Sequence, residues 1–382
     1  MNPNPSGSDP LAVAFAGQRV LVTGHSGFKG SWLCEWLLAL GAKVTGLGLP
    51  PETDPSLFTQ LKLADRLDSI FGDIRSADGV RRVIAESQPD FVFHLAAQPL
   101  VRRSYREPLT TWHTNVLGSI HVLEALRTLQ KPCVAVMVAT DKCYENREWL
   151  FGYRENDPLG GADPYSASKA ASEIAVATWR HSFFRNHPVR IASVRAGNVI
   201  GGGDWAEDRI VPDCARAWIA GRPLRIRNPR AIRPWQHVLE PLSGYLWLAA
   251  RLARQEASGS PLESAFNFGP ASDSNRSVQE LVEEAKKYVP GEWIDGSDPS
   301  APHEAKLLHL SIDKAHALLG WRPVWTFTDG VRETLRWYFD VAHGSDAAKA
   351  IHLTQDQIHA YTGRAQEAGL PWAVHPQAQA IP

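Results

Sequence analysis

The sequence predicts an open, doubly wound parallel α/β sheet with a smaller C-terminal ligand-binding region, and three features predict it. A β-branched run at 19–23 (Arg-Val-Leu-Val-Thr) reads as a strand buried on both faces. It runs directly into Gly24-His-Ser-Gly27-Phe-Lys-Gly30 and then into a helical stretch at 31–40. Strand, glycine loop and helix in that order are the usual setting for a dinucleotide pyrophosphate. Further along, strands and helices alternate, as crossover connections in a parallel sheet require.

In chain order, a second strand is expected at 43–47, a helix at 79–86, a strand at 90–95, a helix at 118–129 and a strand at 133–139. The helix carrying Tyr165 follows, and then a strand at 189–195. The texture changes beyond Gly201: a loop, Gly201-Gly-Gly-Asp204, precedes proline- and arginine-rich segments at 221–228 and 230–237. Loops of that kind over a nucleotide-binding sheet form ligand-capping regions. Two more helices are expected at 277–288 and 328–340. The expected organisation is a dinucleotide-binding domain over 17–200, to which later segments return, and a mainly substrate-binding domain over 201–345. Loose tails are expected at 1–16 and 364–382.

The glycine loop is spaced GxxGxxG, which lets backbone approach a pyrophosphate while the helix N-terminus favours its charge. Gly24, Gly27, Phe28, Lys29 and Gly30 are therefore assigned to the cofactor. The second strand ends Thr45-Gly-Leu-Gly-Leu49, with neither the carboxylate expected for an adenosine ribose nor an arginine for a 2′-phosphate. Weak cofactor binding follows, with Asp73-Ile74 at the adenine edge.

Composition narrows the function classes. The 382 residues are 44% hydrophobic and 21% charged, with a net charge of −1, so no global field favours nucleic acid. No apolar run reaches the length of a membrane span, and the N-terminus lacks the pattern of a signal peptide. Cys34, Cys133, Cys143 and Cys214 are scattered without a CxxC, which argues against zinc and disulfides and for a reducing cytoplasm. His303-Glu304-Ala-Lys-Leu lacks the second histidine of HExxH, and no metal is expected.

Two motifs carry chemistry. Tyr165-Ser-Ala-Ser-Lys169 places a phenol and an amine four residues apart on one helix face, where the ammonium is expected to favour the phenolate as a base. Thr140-Asp141-Lys142 adds an acid-type side chain and a second amine. A redox base with a further acid/base pair implies more than simple oxidation.

Thr-Gly-x-x-Gly-Phe-x-Gly, His94-Leu-Ala-Ala97, Asn115 and Tyr165-x-x-x-Lys169 together resemble the extended short-chain dehydrogenase/reductase superfamily, with its Rossmann-like fold. Longer blocks resemble the CDP-glucose 4,6-dehydratases: 23–32, 97–102, 140–149, 195–205 and 232–244, within a likeness running from about Gly17 to about Gly363. The resemblance implies NAD, held also by Ala96, Ala97 and Asn115, and CDP-glucose as substrate. It implies Tyr165 as base at the C4 hydroxyl, Thr140 sharing that hydroxyl, and Lys169 lowering the tyrosine pKa. Asp141 is the implied acid at the C6 hydroxyl, with a raised pKa; Lys142 stands where related enzymes carry a glutamate base, and Glu145 or Glu148 are alternatives for that role. Substrate contacts are implied at Gln98, Arg102, Asn198, Asp208, Arg209, His303 and Glu304, and Arg225, Arg227 and Arg233 suit a diphosphate. A homodimer through helices at 111–129 and 165–180 and a role in deoxysugar synthesis for surface polysaccharide are implied too. A 4-epimerase would keep Tyr165 and Lys169 but has no need of the Asp141-Lys142 pair. A non-catalytic NAD-binding protein and a nucleic-acid binder are the other readings weighed.

Overall fold

The computed structural model describes residues 9–254, 259–297, 307–344 and 348–374. Its strands are β1 (Arg19–Thr23), β2 (Lys43–Gly48), β3 (Asp68–Phe71), β4 (Phe91–His94), β5 (Cys133–Val138), β6 (Val189–Ala196), β7 (Val199–Ile200), β8 (Leu224–Ile226), β9 (Ile232–Pro234), β10 (Gln236–His237), β11 (Ala265–Phe268), β12 (Asn275–Ser277) and β13 (Trp293–Asp295). Its α-helices are α1 (Pro10–Phe15), α2 (Phe28–Ala39), α3 (Leu57–Gln60), α4 (Ala77–Ser87), α5 (Val101–Arg106), α6 (Pro108–Trp112), α7 (Gly118–Leu126), α8 (Pro164–Ser182), α9 (Ile210–Ile219), α10 (Leu239–Ala253), α11 (Val278–Ala285), α12 (Asp313–Leu319), α13 (Phe327–Ala342) and α14 (Lys349–Glu367).

Seven strands form one parallel sheet in the order β11-β6-β5-β4-β1-β2-β3. The chain winds outward from β1 in one direction and from β4 in the other. The crevice beyond the strand ends lies where those directions diverge, with Thr23 paired to His94. The central strands β4 and β5 are buried almost throughout, because helices cover both faces. Helix α8 starts cleanly: the Asp163 side chain accepts from Ser166 N, and Pro164 occupies the first turn. Arg180 and His181 complement the dipole in its last turn.

Helix α10 is an element the sequence pattern concealed. All of it but Arg251 and Ala253 is buried, so no polar face gives it a helical period. It packs beneath the sheet, and β11 then returns to pair with β6. The short pairs β8–β13 and β9–β12 and the helices α9 and α11 make up the region over the crevice, with β7–β10 beneath them.

The expectation of loose tails is corrected where the chain is described. Residues 10–15 form α1, with Leu11 and Phe15 in the core. At the other end α14 continues to Glu367, and Leu370 and Trp372 are buried, with Trp372 and Tyr361 stacked beside Trp36 of α2. Apolar side chains at helical spacing within an Ala/Gln-rich stretch dock these segments.

Candidate active site

The floor of the crevice is the glycine loop between β1 and α2. Gly24 has φ of +75°, and a Cβ there would lie 2.7 Å from Ala96 N, so the loop and the end of β4 meet backbone to backbone. A Cβ on Gly30 would sit 2.1 Å from the Gly24 carbonyl oxygen. Gly27 caps α2 without any side-chain hydrogen bond, which leaves the first-turn amides to an anion. This cradle fits the pyrophosphate of a dinucleotide. The side chain of Lys29 is held near pH 7, chiefly by burial and then by the cations Arg209 and Lys169, with Asp141 opposing.

The adenosine end departs from the usual pattern. Gly46 and Gly48 of β2 are covered by the His25 ring, and no carboxylate stands at the end of that strand. The Asp73 carboxylate is turned onto its own chain, accepting from Arg75 N (2.8 Å), Nε (2.8 Å) and Nη2 (2.6 Å). The Ile74 side chain is a core residue packed against Gly118, which leaves its backbone for an adenine contact. Asn115 lies in a π-helical turn, His113–Leu117, the kind of irregularity that gathers at functional sites. Its amide bonds Gln98 N and O and Ser168 Oγ, so it ties the Ala96-Ala97 loop to α8. Gln98 is correspondingly internal: it donates to Thr111 Oγ1 and accepts from Leu100 N.

The two chemistry-bearing motifs meet at the end of β5. Asp141–Cys143 form a short 3-10 turn whose N-cap is Thr140. Tyr165, buried on α8, shares a hydrogen bond with Thr140. Burial pushes the phenol up to about 12, against the Thr140 hydrogen bond and the charge of Arg209. This corrects the expectation that Lys169 lowers it: the Lys169 ammonium donates to Val138 O at 2.9 Å. Burial holds Lys169 itself down to about 8, opposed first by Glu173. The Asp141 carboxylate is buried; its Oδ1 accepts from Thr140 Oγ1 (3.0 Å) and from Lys142 Nζ (3.3 Å), and its Oδ2 has no partner. Gly197 leaves room for that oxygen, since a Cβ there would lie 2.9 Å from Oδ2 and 3.0 Å from Pro234.

Charge dominates the roof. Asp208, in a left-handed conformation, pairs with Arg227 and lies 3.9 Å from Arg102. Arg209 pairs with Asp204 at 2.7 Å and reaches toward Tyr165. Asn198 Oδ1 is buried without a partner. Arg233 borders the site through its neighbour Pro234, whereas Arg225 lies against Gly296 and outside the Arg102–Asp208–Arg227 group. His303 and Glu304 lie outside the described residues. Sequence reasoning missed Asp204, Glu173 and the role of Arg195; only Glu173 left a signal, its position four residues beyond Lys169.

A glycine-cradled crevice at the switch point of a parallel sheet, with a Tyr-x-x-x-Lys helix at its edge, defines an extended short-chain dehydrogenase/reductase with a Rossmann-like fold. More particularly, the chain belongs to the family described as GDP-mannose 4,6 dehydratase, whose model matches residues 21–334. It is 46% identical over 338 residues to CDP-glucose 4,6-dehydratase of Salmonella typhimurium, covering 86% of this chain and 93% of that one. It is 32% identical over 343 residues to dTDP-glucose 4,6-dehydratase of Streptomyces antibioticus, covering 84% and 92%. Among solved structures, dTDP-glucose 4,6-dehydratase of Streptomyces venezuelae with NAD bound aligns at a TM-score of 0.72 with 24% identity, over 84% of this chain and 97% of that one. UDP-glucose 4-epimerase of Thermus thermophilus in complex with NAD aligns at 0.68 with 26% identity, over 86% and 100%.

Proposed function

We propose that the protein is a CDP-glucose 4,6-dehydratase, converting CDP-D-glucose to CDP-4-dehydro-6-deoxy-D-glucose with NAD as a recycled cofactor. The observation that carries this reading is the ion pair of Asp141 and Lys142 beside the Thr140-bonded Tyr165, which adds elimination chemistry to an oxidation site. The 46% identity to a CDP-glucose 4,6-dehydratase supports the base and the sugar.

The glycine loop and the α2 N-terminus would hold the pyrophosphate of NAD, which accepts a hydride from C4 and supplies it again at C6. Tyr165, in its phenolate form, takes the C4 hydroxyl proton while Thr140 holds that oxygen. The 4-ketone acidifies the C5 proton, and elimination then needs a base at C5 and an acid at C6. One proton moved from Lys142 Nζ to Asp141, across their 3.3 Å contact, turns carboxylate and ammonium into acid and amine without changing net charge. Lys142 takes the C5 proton, Asp141 gives its proton to the departing C6 hydroxyl as water, and the ion pair is restored. Lys142 returns its proton to C5 when C6 is reduced, and the proton that Tyr165 took from the C4 hydroxyl, relayed through solvent, restores both the Tyr165 phenolate and the Lys142 ammonium.

The β8–β13 and β9–β12 pairs with α9 and α11 supply the substrate roof, with Arg102 and Arg227 as diphosphate partners and Asn198 as a sugar-nucleotide contact. The aliphatic and aromatic residues on α6–α8 and the turn between them support a homodimer through that face, with Leu109 85% and Ile174 56% exposed beside Trp112 and Leu117. Four free, buried cysteines suit a cytoplasmic enzyme, and among the described residues no helix is long and apolar enough to cross a membrane. The product class suits deoxysugar synthesis for surface polysaccharide. Incubation with CDP-glucose and NAD, read by mass spectrometry, tests the reading. A nucleotide sugar one water lighter and carrying a ketone is expected; an isomer of unchanged mass would overturn it in favour of an epimerase.

A further inference from the structure

Behind the two motifs runs a buried chain of polar side chains. Glu173 follows Lys169 by one turn on α8, and both are buried. The Glu173 Oε2 accepts from Arg195 Nη2 at 2.7 Å and from Ser193 Oγ at 3.0 Å, both on β6. The other guanidinium nitrogen, Nη1, donates to Tyr144 Oη at 2.8 Å and to Glu155 O at 3.0 Å. The guanidinium also lies over the Tyr144 ring, 4.9 Å from its centroid. Tyr144 immediately follows the Asp141–Cys143 turn, and its hydroxyl donates to Asn267 Oδ1 of β11 at 2.7 Å. Asn267 is fixed in turn by Tyr153 O and Ser311 O. One charged pair thus touches the oxidation helix on one side and the elimination turn on the other. An ion pair this buried, 4% and 3% exposed, is a costly way to fill a core unless its geometry is needed.

We propose that Glu173 and Arg195 are positioning residues that couple the two halves of the site. Glu173 keeps the Lys169 ammonium charged beside Val138 O, and Arg195 seats the Asp141–Cys143 turn through the Tyr144 hydroxyl. The inference rests on the dehydratase reading for the identity of the two steps. The groups around Lys169 are Tyr165 and Glu173 on its own helix, Cys143 on the turn, His94 at the end of β4, Lys29 on α2 and, behind Glu173, Arg195 on β6. Burial keeps His94 and Cys143 neutral, so neither replaces Glu173 as the counter-charge. Removing that charge makes the ammonium easier to deprotonate, so activity that needs the ammonium is lost at lower pH.

The experiment is the pH profile of C4 oxidation and of overall turnover for wild type, Glu173→Gln, Glu173→Asp and Tyr144→Phe, with CDP-glucose and NAD. For Glu173→Gln the alkaline limb is expected to move down by about one pH unit. The loss is then about fivefold at about pH 8 and under about twofold near pH 6.5. Glu173→Asp keeps the charge and is expected to keep the wild-type limb whatever its rate. Tyr144→Phe is expected to keep the limb too, yet slow elimination about tenfold relative to oxidation, so that reduced cofactor accumulates. Superimposable limbs for Glu173→Gln and wild type, or equal slowing of both steps in Tyr144→Phe, would overturn the proposal. Should Glu173→Gln fail to fold, the other two variants decide it. Wild type that forms no dehydrated product fails the dehydratase reading instead, a separate result.

Discussion

Between Gly24 and Ala96 the crevice is closed by backbone against backbone, whereas between Arg102 and Arg227 it is closed by side-chain charge against side-chain charge. The two surfaces face ligands of similar chemistry, a diphosphate in each case on the proposed reading, and solve the problem differently. The floor offers helix-terminus amides that stand in place before a ligand arrives, and only the absence of side chains keeps them open. The roof offers guanidinium groups that are neutralised by Asp208 and Asp204 until a ligand takes over the pairing. At Gly24 and Gly30 the floor tolerates no added atom; the roof tolerates substitution at a cost graded by charge and contact.

Breaking the chemistry between them gives the largest effects. Tyr165→Phe is expected to lower turnover by about 10³-fold with cofactor binding retained, measured by steady-state kinetics and calorimetry. Asp141→Asn should fall about 10²-fold or more and stall after oxidation, visible as accumulated reduced-cofactor absorbance on mixing with substrate. On the floor, Gly30→Ala drives a methyl into the Gly24 carbonyl and is expected to weaken NAD binding by about 10²-fold, read by titration, while substrate affinity changes little. On the roof, Arg227→Ala is expected to raise KM about tenfold or more with kcat nearly unchanged, the loss of one charged hydrogen bond of about 1.5–3 kcal/mol. Arg225→Ala, against Gly296, should change KM by less than about twofold. Equal effects at Arg225 and Arg227 would dissolve the distinction drawn for the roof.

The smallest effect is that of pH. Lys169 must be an ammonium, and burial brings its pKa from 10.5 to about 8, so its contribution to turnover is complete well below that value and is lost as pH rises through it. His94 is held neutral near 3 by burial and then by the charge of Lys169, so it contributes no acid limb above about pH 4. A profile of kcat against pH checks both.

The sheet was legible because strands buried on both faces, such as β4 and β5, write themselves as unbroken apolar runs. The same burial hid α10, whose all-round apolar surface erases its period, and the strands of two or three residues over the crevice are too short to carry one. In the site, Thr140, Asp141, Tyr165 and Lys169 were visible as local motifs, and the fold brings them together. What the sequence could not reveal depends on contacts between distant segments. Arg102, Asp208 and Arg227 meet only once β8 lies over α5, and Arg195 finds Glu173 only when β6 runs beneath α8. The packing of Ile74 and Gln98 was illegible for the complementary reason: a residue beside a site in sequence can point into the core, as Ile74 does toward Gly118.

The central claim is that one pocket oxidises C4 and eliminates water across C5 and C6 before the same hydride returns. CDP-glucose deuterated at C4, turned over with unlabelled NAD and read by NMR, tests it directly. Deuterium at C6 of a 4-keto-6-deoxy sugar is the predicted result. Deuterium retained at C4 of an epimerised sugar, or a dehydrated product without deuterium at C6, would contradict it.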